Sequence, residues 1–300
     1  MQVPRNKLLL GDTLDLLRGL PSDSVDLALT SPPYNKQEKN RGWLVKEVRY
    51  QTHKDALPEQ FYQDEQVNVL NELYRVMRPG GSFFYNHKLR WQRGEMLHPL
   101  GWILRTKWCV RQEIIWDRQI AGNIRGWRFW QVDERIYWLH KPWAGNKIGA
   151  ELESRHALFT SIWRMRPEGK NPHPAPFPLP LPTRIIYAMK PHMPATPLVL
   201  DPYVGSGTSA VAAHHLKCDY LGLDNCQAYL AQAKKRLKNY AKEIQCMQNE
   251  IALHTVEKTF AQRKAQKKDK NSPKEHTLTI PSMLPAHKHA QKNLGLNVQS

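Results

Sequence analysis

The feature that most constrains the fold is a glycine loop placed between a strand and a helix. The decapeptide DPYVGSGTSA at residues 201–210 begins on the last residue of the apolar strand candidate LVLD at 198–201. In it Gly205, Gly207 and Ala210 fit the pattern G-x-G-x-x-G/A, whose glycines let a ligand approach the backbone at a tight turn. A helix and a second strand, YLGLD at 220–224, come next. Strands that alternate with helices at this spacing predict an α/β fold with a mostly parallel sheet.

An acidic residue at the end of the second strand extends this prediction to a ligand. Asp224 stands 19 residues after Gly205, where a carboxylate accepts hydrogen bonds from ribose hydroxyls. The glycine loop and the carboxylate together indicate a nucleoside-type cofactor. From these residues alone a dinucleotide and S-adenosylmethionine both remain open.

A second motif, the tetrapeptide SPPY at 31–34, directly follows the apolar strand candidate VDLALT at 25–30. Two consecutive prolines end a strand abruptly and stiffen the turn after it. The Ser31 hydroxyl and a backbone carbonyl are hydrogen-bond acceptors, and the Tyr34 ring is a flat face. An exocyclic amino group of a base requires such acceptors and such a ring. Taken alone, the tetrapeptide is more simply an ordinary proline turn with a buried tyrosine.

The charge balance favours polyanionic partners. The chain has 300 residues, with 44 Lys plus Arg against 27 Asp plus Glu and a formal net charge of +17. A positive field of this size attracts nucleic acid. The alternative is that the charge only keeps the protein soluble. The absence of a long apolar run and of a secretory signal predicts no membrane partner and a cytoplasmic, nucleoid-associated location. The four cysteines form no CxxC pair, so we expect reduced thiols and no metal site.

Helical spacing of apolar residues predicts a further helix-to-strand unit. We expect Asp64 to cap this helix and Pro79-Gly80-Gly81 to end it before a strand at 82–87. The apolar face of the helix comprises Val67, Leu70, Leu73, Tyr74 and Met77.

Residues 91–143 are rich in tryptophan and arginine. Such a combination serves stacking platforms for nucleic acid, whereas each single tryptophan is more often a core residue. The segment IAGNIRGWRFW at 120–130 is the best candidate for a loop that faces DNA, because it joins glycines, arginines and aromatic rings without periodicity. The candidate DNA contacts are Arg118, Arg125 and Arg128.

Taken together, five segments resemble the β class of DNA amino-methyltransferases. In that family an SPPY-like catalytic motif precedes the cofactor motif, the reverse of the usual order. The resemblance covers about residues 7–238. The segments are KLLLGDTLDLLRGLPSDSVDLALTSPPY (7–34), RVMRPGGSFFY (75–85), HPAPFPLPLPTRII (173–186), DPYVGSGTSAVAA (201–213) and YLGLD (220–224).

The resemblance implies a Rossmann-like methyltransferase fold of circularly permuted motif order, with a mostly parallel twisted sheet and helices on both faces. It implies S-adenosyl-L-methionine as cofactor, with Asp224 at the ribose, Asp12 by the adenine and Phe177 near the methionine end. It gives the catalytic role to Ser31, Pro32, Pro33 and Tyr34. The implied cofactor contacts are Asp12, Phe177, Asp201, Pro202, Gly205, Gly207, Thr208 and Asp224.

In the family, members whose motif begins with serine mostly methylate cytosine at N4. Members whose motif begins with aspartate mostly methylate adenine at N6. We therefore expect methylation of a flipped-out cytosine in double-stranded DNA, with adenine N6 as the alternative. An RNA methyltransferase and a silent DNA-binding protein are further alternatives. The expected partners are DNA and a cognate restriction endonuclease, with the protein a monomer or a homodimer.

The motif order also predicts how the chain is divided. A catalytic half spans 1–140 and includes a mobile loop at about 36–60. The target-recognition region spans about 117–172, and the cofactor-binding half spans 173–240. A basic, partly disordered tail spans 241–300.

Overall fold

The computed structural model describes residues 2–35, 56–121, 126–143, 160–169 and 177–255, together with Ala265. All of these except Ala265 belong to one compact unit, Met1–Phe260. Within the described ranges, no helix is long and apolar enough to cross a membrane. Outside them lie most of the loop expected at 36–60, Arg125, much of the expected recognition region and most of the expected tail.

The strands are β1 (Lys7–Leu10), β2 (Val25–Thr30), β3 (Met77–His87), β4 (Arg90–Gln92), β5 (Glu95–Leu97), β6 (Cys109–Asp117), β7 (Asp133–His140), β8 (Ile162–Arg164), β9 (Leu198–Asp201) and β10 (Asp219–Asp224). The helices are α1 (Thr13–Arg18), α2 (Glu59–Val76), α3 (Leu100–Ile103), α4 (Pro180–Met189), α5 (Thr208–His215), α6 (Gln227–Lys238) and α7 (Ile244–His254). Short 3-10 helices cover Lys190–His192 and Tyr240–Glu243.

The main sheet is mostly parallel. Its strands lie in the order β1-β10-β9-β2-β3-β7-β6-β8. Parallel pairing joins the first five strands, and β8 pairs in parallel with β6. Strand β7 is antiparallel to both of its neighbours, β3 and β6. Therefore β6 ends at the same edge of the sheet as β2, and β7 begins there.

Helices cover both faces of this sheet, as the Rossmann-like methyltransferase fold requires. Successive residues of β3 and β7 alternate between two core clusters, because side chains of a strand point to opposite faces. One cluster holds Phe84 and Trp138 with side chains of α4, α5 and α7. The other holds Phe83 and Tyr137 with side chains of α1, α2 and α3. The prediction of an α/β fold is therefore confirmed.

The predictions for the second helix were wrong at both ends. Helix α2 begins at Glu59, so Asp64 lies inside it and contacts Arg105 instead of capping it. The helix ends at Val76, and Met77 is the first residue of β3. Hydrophobic spacing did not reveal this end. Met77 is buried as the first residue of β3, and the helical pattern also predicted a buried side chain at this position.

The core continues past residue 240, where the sequence analysis placed the start of the tail. Helix α7 packs with its Met247 fully buried. Its Glu250 forms an ion pair with Arg184 of α4, at 2.6 Å between Nε and Oε1. Both side chains are less than a tenth exposed, so the described part of the tail up to His254 is a structural element of the domain.

Candidate functional site

The candidate residues lie at the carboxyl ends of adjacent parallel strands. Strands β1, β10, β9 and β2 are neighbours in that order, and their ends lead to Asp12, Asp224, Asp201 and Ser31. Open α/β sheets bind ligands in the crevice outside these ends. The fold therefore brings the SPPY motif and the glycine loop side by side, although they are far apart in the sequence.

Asp201 joins the two motifs directly. Its Oδ1 accepts hydrogen bonds from Thr30 Oγ1 at 2.7 Å and from the Tyr203 N–H at 3.0 Å. The Ser209 hydroxyl donates to the other carboxyl oxygen. Burial raises the pKa of Asp201 to about 6, although the hydrogen bonds from Ser209 and Thr30 oppose that rise. The structure thus ties the last residue of the catalytic strand to the first residue of the cofactor loop.

The glycine loop turns through left-handed backbone and is anchored on Asp224. Gly205 has φ +50° and Gly207 has φ +85°, which glycine adopts without a Cβ penalty. The Gly205 N–H donates to Asp224 Oδ2 at 2.8 Å, and the Cys226 N–H donates to Oδ1 at 2.9 Å. Burial raises the pKa of Asp224. A third backbone hydrogen bond comes from Asn225, so the loop and the residues after β10 both hold this carboxylate.

Asp12 and its neighbour hold the start of α1 beside this loop. Asp12 is exposed, and its Oδ1 accepts from the backbone N–H of Leu14 at 2.9 Å and of Asp15 at 3.2 Å. The Thr13 hydroxyl donates to the carbonyl of Pro202 at 2.8 Å. Because Pro202 belongs to the glycine loop, this bond fixes α1 against the candidate cofactor site.

The other predicted cofactor residues lie deeper. Thr208 begins α5, and its hydroxyl oxygen accepts a hydrogen bond of 2.8 Å from Arg236 Nη1. Arg236 in turn pairs with Glu243 at 2.7 Å. Phe177 is buried in the core cluster that includes the α5 side chains. The structure therefore places Phe177 in the core on the face of the sheet that α5 covers.

The SPPY motif forms the wall next to the glycine loop. Ser31 is half-buried, and its hydroxyl contacts the Tyr34 hydroxyl. The Tyr34 side chain is only 4% exposed, and its ring centroid lies 4.6 Å from that of His87. The carbonyl of Pro33 accepts from the Tyr62 hydroxyl at 2.8 Å, so helix α2 holds the second proline in place.

Sequence reasoning missed a buried polar cluster behind Tyr34. Asn86, near the end of β3, donates from Nδ2 to the Tyr34 hydroxyl at 2.8 Å. Glu134, near the start of β7, accepts from that hydroxyl at 2.9 Å and from Arg118 Nη1 at 2.9 Å. The signal in the sequence was a polar residue beside an apolar run in each of two strands: Asn86 follows FFY at 83–85, and Glu134 comes shortly before IYWL at 136–139.

The residue that follows SPPY, Asn35, is hydrogen-bonded to Leu57, which precedes helix α2. Asn35 is buried, with φ +51°, in the left-handed region that asparagine tolerates. Its side-chain amide accepts from the Leu57 N–H at 2.7 Å and donates to the Leu57 carbonyl at 3.0 Å. Residues 36–55, where the mobile loop was expected, lie outside the described residues.

An exposed aromatic group lies at the same edge of the sheet as Ser31. The connection between β6 and β7 carries Trp127, Phe129 and Trp130, and Phe129 is 98% exposed. The guanidinium of Arg128 lies 3.9 Å from the ring centroid of Trp91, which comes from the β4–β5 hairpin. Exposed aromatic side chains clustered in this way mark an interaction surface.

The three arginines predicted to contact DNA have different surroundings. Arg128 lies within the aromatic group, whereas Arg118 is mostly buried against Glu134 and belongs to the cluster behind Tyr34. Arg125 lies outside the described residues. Within those residues, no group of three or more His, Cys, Asp or Glu side chains is arranged to hold a metal ion. All four cysteines are free.

Comparisons with known proteins agree with this geometry. The model of the DNA methylase family for N6 and N4 methylation matches residues 25–235. The type II methyltransferase M.HinfI of Haemophilus influenzae is 25% identical over 277 residues, covering 84% of this chain and 72% of its own length.

Solved structures share the fold. The PvuII cytosine-N4-specific DNA methyltransferase superposes with a TM-score of 0.62 at 17% identity, over 83% of this chain and 94% of its own. A putative DNA modification methylase of Thermus thermophilus, in complex with S-adenosyl-L-methionine, has a TM-score of 0.57 at 26% identity. That superposition covers 78% of this chain and 94% of the Thermus chain.

Proposed function

This protein belongs to the DNA methylase family and is a DNA methyltransferase, and from that premise we propose that it methylates the exocyclic N4 amino group of cytosine in duplex DNA. The observation that carries the proposal is the hydrogen bond between Thr30 and Asp201. It fixes the serine of SPPY beside the glycine loop, so the amino group and the methyl donor meet at one edge of the sheet.

The cofactor is S-adenosyl-L-methionine, which supplies an electrophilic methyl group on a sulfonium. We assign the ribose to Asp224, whose carboxylate offers about four lone-pair sites to the three backbone donors Gly205, Asn225 and Cys226. We assign the adenine to the neighbourhood of exposed Asp12. The left-handed Gly205–Thr208 turn at the start of α5 suits the methionine carboxylate, because helix N-termini favour anions. We also assign to the methionine end of the site the side chains of Asp201, Pro202 and Phe177.

The catalytic difficulty is that the amino lone pair is delocalised into the base. We propose that Ser31 Oγ and the Pro32 carbonyl accept the two amino hydrogens, which localises the lone pair and aims it at the methyl group. Transfer would then be direct, without a covalent enzyme intermediate: the N–C bond would form as the C–S bond of the sulfonium breaks, which leaves a neutral thioether. The amino group becomes acidic once methylated and would lose one proton to water. The acceleration relies on alignment and preorganised acceptors. The Pro33 carbonyl already accepts from Tyr62, which leaves Pro32 for the substrate.

The target base must leave the duplex to reach these acceptors. We propose that it stacks on Tyr34. Because Tyr34 is only 4% exposed, the residues that cover the ring must shift when the base enters. The choice of cytosine rests on Ser31 in place of the aspartate typical of adenine enzymes.

We propose that DNA docks on the aromatic group of Trp127, Phe129 and Trp130, with Arg128 contacting phosphate. A duplex placed there lies over the edge that carries Ser31, so a flipped base reaches SPPY without crossing the sheet. The net charge of +17 supports this docking, because neutralising phosphates releases their counterions.

The relatives suggest a biological context. M.HinfI is named a type II methyltransferase, so we propose that this protein modifies DNA against a cognate restriction endonuclease, as a cytoplasmic, nucleoid-associated monomer or homodimer. We keep the division into a catalytic half (1–140), a recognition region (117–172) and a cofactor half (173–240). The part of 241–300 up to His254 joins the core.

The decisive experiment identifies the product. Purified protein is incubated with S-adenosylmethionine and unmethylated genomic DNA, and the DNA is digested to nucleosides for mass spectrometry. We expect N4-methylcytosine. N6-methyladenine would keep the cofactor site and reject the argument from Ser31, and the absence of any methylated base would reject the proposed activity.

A further inference from the structure

The cluster behind Tyr34 is built around a buried carboxylate. Glu134 is 7% exposed. Its Oε2 accepts from the Tyr34 hydroxyl at 2.9 Å and from Asn86 Nδ2 at 3.0 Å, and its Oε1 accepts from Arg118 Nη1 at 2.9 Å. Burying a carboxylate is costly unless cations and hydrogen bonds compensate it. Arg118 supplies a compensating positive charge at 2.9 Å from Glu134 Oε1.

The hydrogens of this cluster have one consistent arrangement. The Tyr34 hydroxyl has a single hydrogen, and it donates this hydrogen to Glu134 Oε2 at 2.9 Å. The nitrogen of Asn86 must face the cluster, since its carbonyl oxygen would otherwise meet the carboxylate. The contact between the hydroxyls of Ser31 and Tyr34 then leaves Ser31 as the donor.

The direction of the Ser31 hydrogen determines what the Ser31 oxygen offers to a substrate. A hydroxyl that rotates freely offers its hydrogen or its lone pairs to a neighbour with equal ease. Here the Ser31 hydrogen is directed inward to Tyr34. Asn86 Nδ2 donates to Tyr34 at 2.8 Å, to Glu134 at 3.0 Å and, in its longest contact, to Ser31 Oγ at 3.3 Å. Since a hydroxyl oxygen has two lone pairs, Ser31 keeps at least one of them for a donor outside the cluster.

We propose that Glu134 is a positioning residue that acts through Tyr34 to fix the Ser31 hydroxyl as a hydrogen-bond acceptor for the target amino group. This inference rests on the proposed function and adds a residue from the other end of the catalytic half. Glu134 itself does not touch the substrate. It sets the direction of the hydroxyl chain Ser31, Tyr34, Glu134 before the base arrives, which is preorganisation in the sense that catalysis requires.

The test is a double-mutant cycle on full-length protein with duplex DNA. Glu134→Gln keeps the shape and removes the charge, and Tyr34→Phe keeps the ring and removes the hydroxyl. We expect each single change to lower kcat by about 10- to 100-fold, the range typical of one preorganised group. The double variant should be no slower than Tyr34→Phe, because both changes break the same chain.

Three measurements separate positioning from loss of structure. The dissociation constant of S-adenosylmethionine, by calorimetry, should match the wild type within error. Glu134→Gln leaves Arg118 without its carboxylate and should lower the melting temperature, so kcat is measured well below the melting temperature of each variant. Glu113→Gln is the matched control, since Glu113 lies on the neighbouring strand β6, contacts Arg135 and stands outside the cluster; it should retain full kcat. If Glu134→Gln does not fold, Glu134→Asp replaces it in the cycle, because the shorter carboxylate withdraws from Tyr34.

Full kcat in the Glu134 variant would overturn the proposal. Independent losses that multiply in the double variant would also overturn it, because they would show that Glu134 does not act through Tyr34. Failure of the proposed function is distinguishable, since it would appear as wild-type protein that makes no methylated base.

Discussion

Asp201 is a buried carboxylate whose three donors come from three parts of the site: the catalytic strand, the glycine loop and helix α5. Burial raises the pKa of this group to about 6, above its value in the unfolded chain. A raised pKa means that the folded protein binds this proton more tightly. The protonated carboxyl therefore adds stability at low pH, and that stability is lost as pH rises through about 6.

This linkage gives a prediction for Asp201→Asn, which removes the titration. Its unfolding free energy minus that of the wild type should increase by about 1 kcal/mol between pH 5 and pH 8. Urea unfolding at both pH values measures this. Asp219→Asn is the control, because a hydrogen bond from Arg5 lowers the pKa of Asp219 and the difference should then stay level or fall slightly over the same range. A pH-independent difference for Asp201→Asn would contradict the assignment.

In the proposed mechanism, Ser31 accepts one hydrogen of the target amino group. Ser31→Ala removes the acceptor of one amino hydrogen, so kcat should fall by about 10- to 100-fold. Calorimetry should show S-adenosylmethionine affinity within a factor of about two of the wild type. Ser161→Ala, on an exposed serine just before β8, is the control. Unchanged turnover in Ser31→Ala would remove the serine from the mechanism.

At the scale of elements, the glycine loop works because α5 and α6 approach each other closely. A Cβ at Gly207 would lie 2.7 Å from the Cβ of Ala233, and the backbone there is left-handed. Gly207→Ala should therefore destabilise the fold by roughly 2–4 kcal/mol through strain and overpacking. Chemical denaturation measures this. Gly101→Ala, in α3 with open space around the site of the Cβ, should be neutral or slightly stabilising.

The aromatic group between β6 and β7 gives a prediction about DNA. Phe129→Ala should weaken binding to a duplex that contains the target sequence by about 10-fold, as expected for the loss of an aromatic side chain that anchors an interface. Fluorescence anisotropy at fixed salt measures the affinity. Trp143→Ala is the control, because Trp143 is 68% exposed and follows β7 at the opposite edge of the sheet. Equal affinities for both variants would exclude Phe129 from the interface.

At the scale of the whole molecule, helix α7 closes the core. A chain that ends at Thr255 keeps Met247 and the ion pair between Arg184 and Glu250, so it serves as the reference. A chain that ends at Glu243 leaves Arg184 buried without its carboxylate. It should lose about 3–5 kcal/mol, the cost of breaking a buried pair. Calorimetry of both chains checks this, and equal stabilities would place α7 outside the core.

Local patterns in the sequence identified the strands that matter most for function. The strands before SPPY and before the glycine loop have the predicted bounds, 25–30 and 198–201. These segments combine a continuous apolar run with an abrupt proline or glycine turn, so neighbouring residues alone determine where they end. The end of α2 was not predictable in this way, because Met77 suits a buried helix position and a buried strand position equally.

The sequence by itself determined the α/β class, the two motifs and the family, because each depends on residues within a short stretch of chain. Only the tertiary structure decided that Glu134 and Asn86 stand behind Tyr34 and that Arg118 pairs with Glu134. It also decided that Asp201 bonds to Thr30, which is 171 positions away. Strand order creates these contacts, and that order results from packing the whole sheet between its helices, which local spacing does not encode.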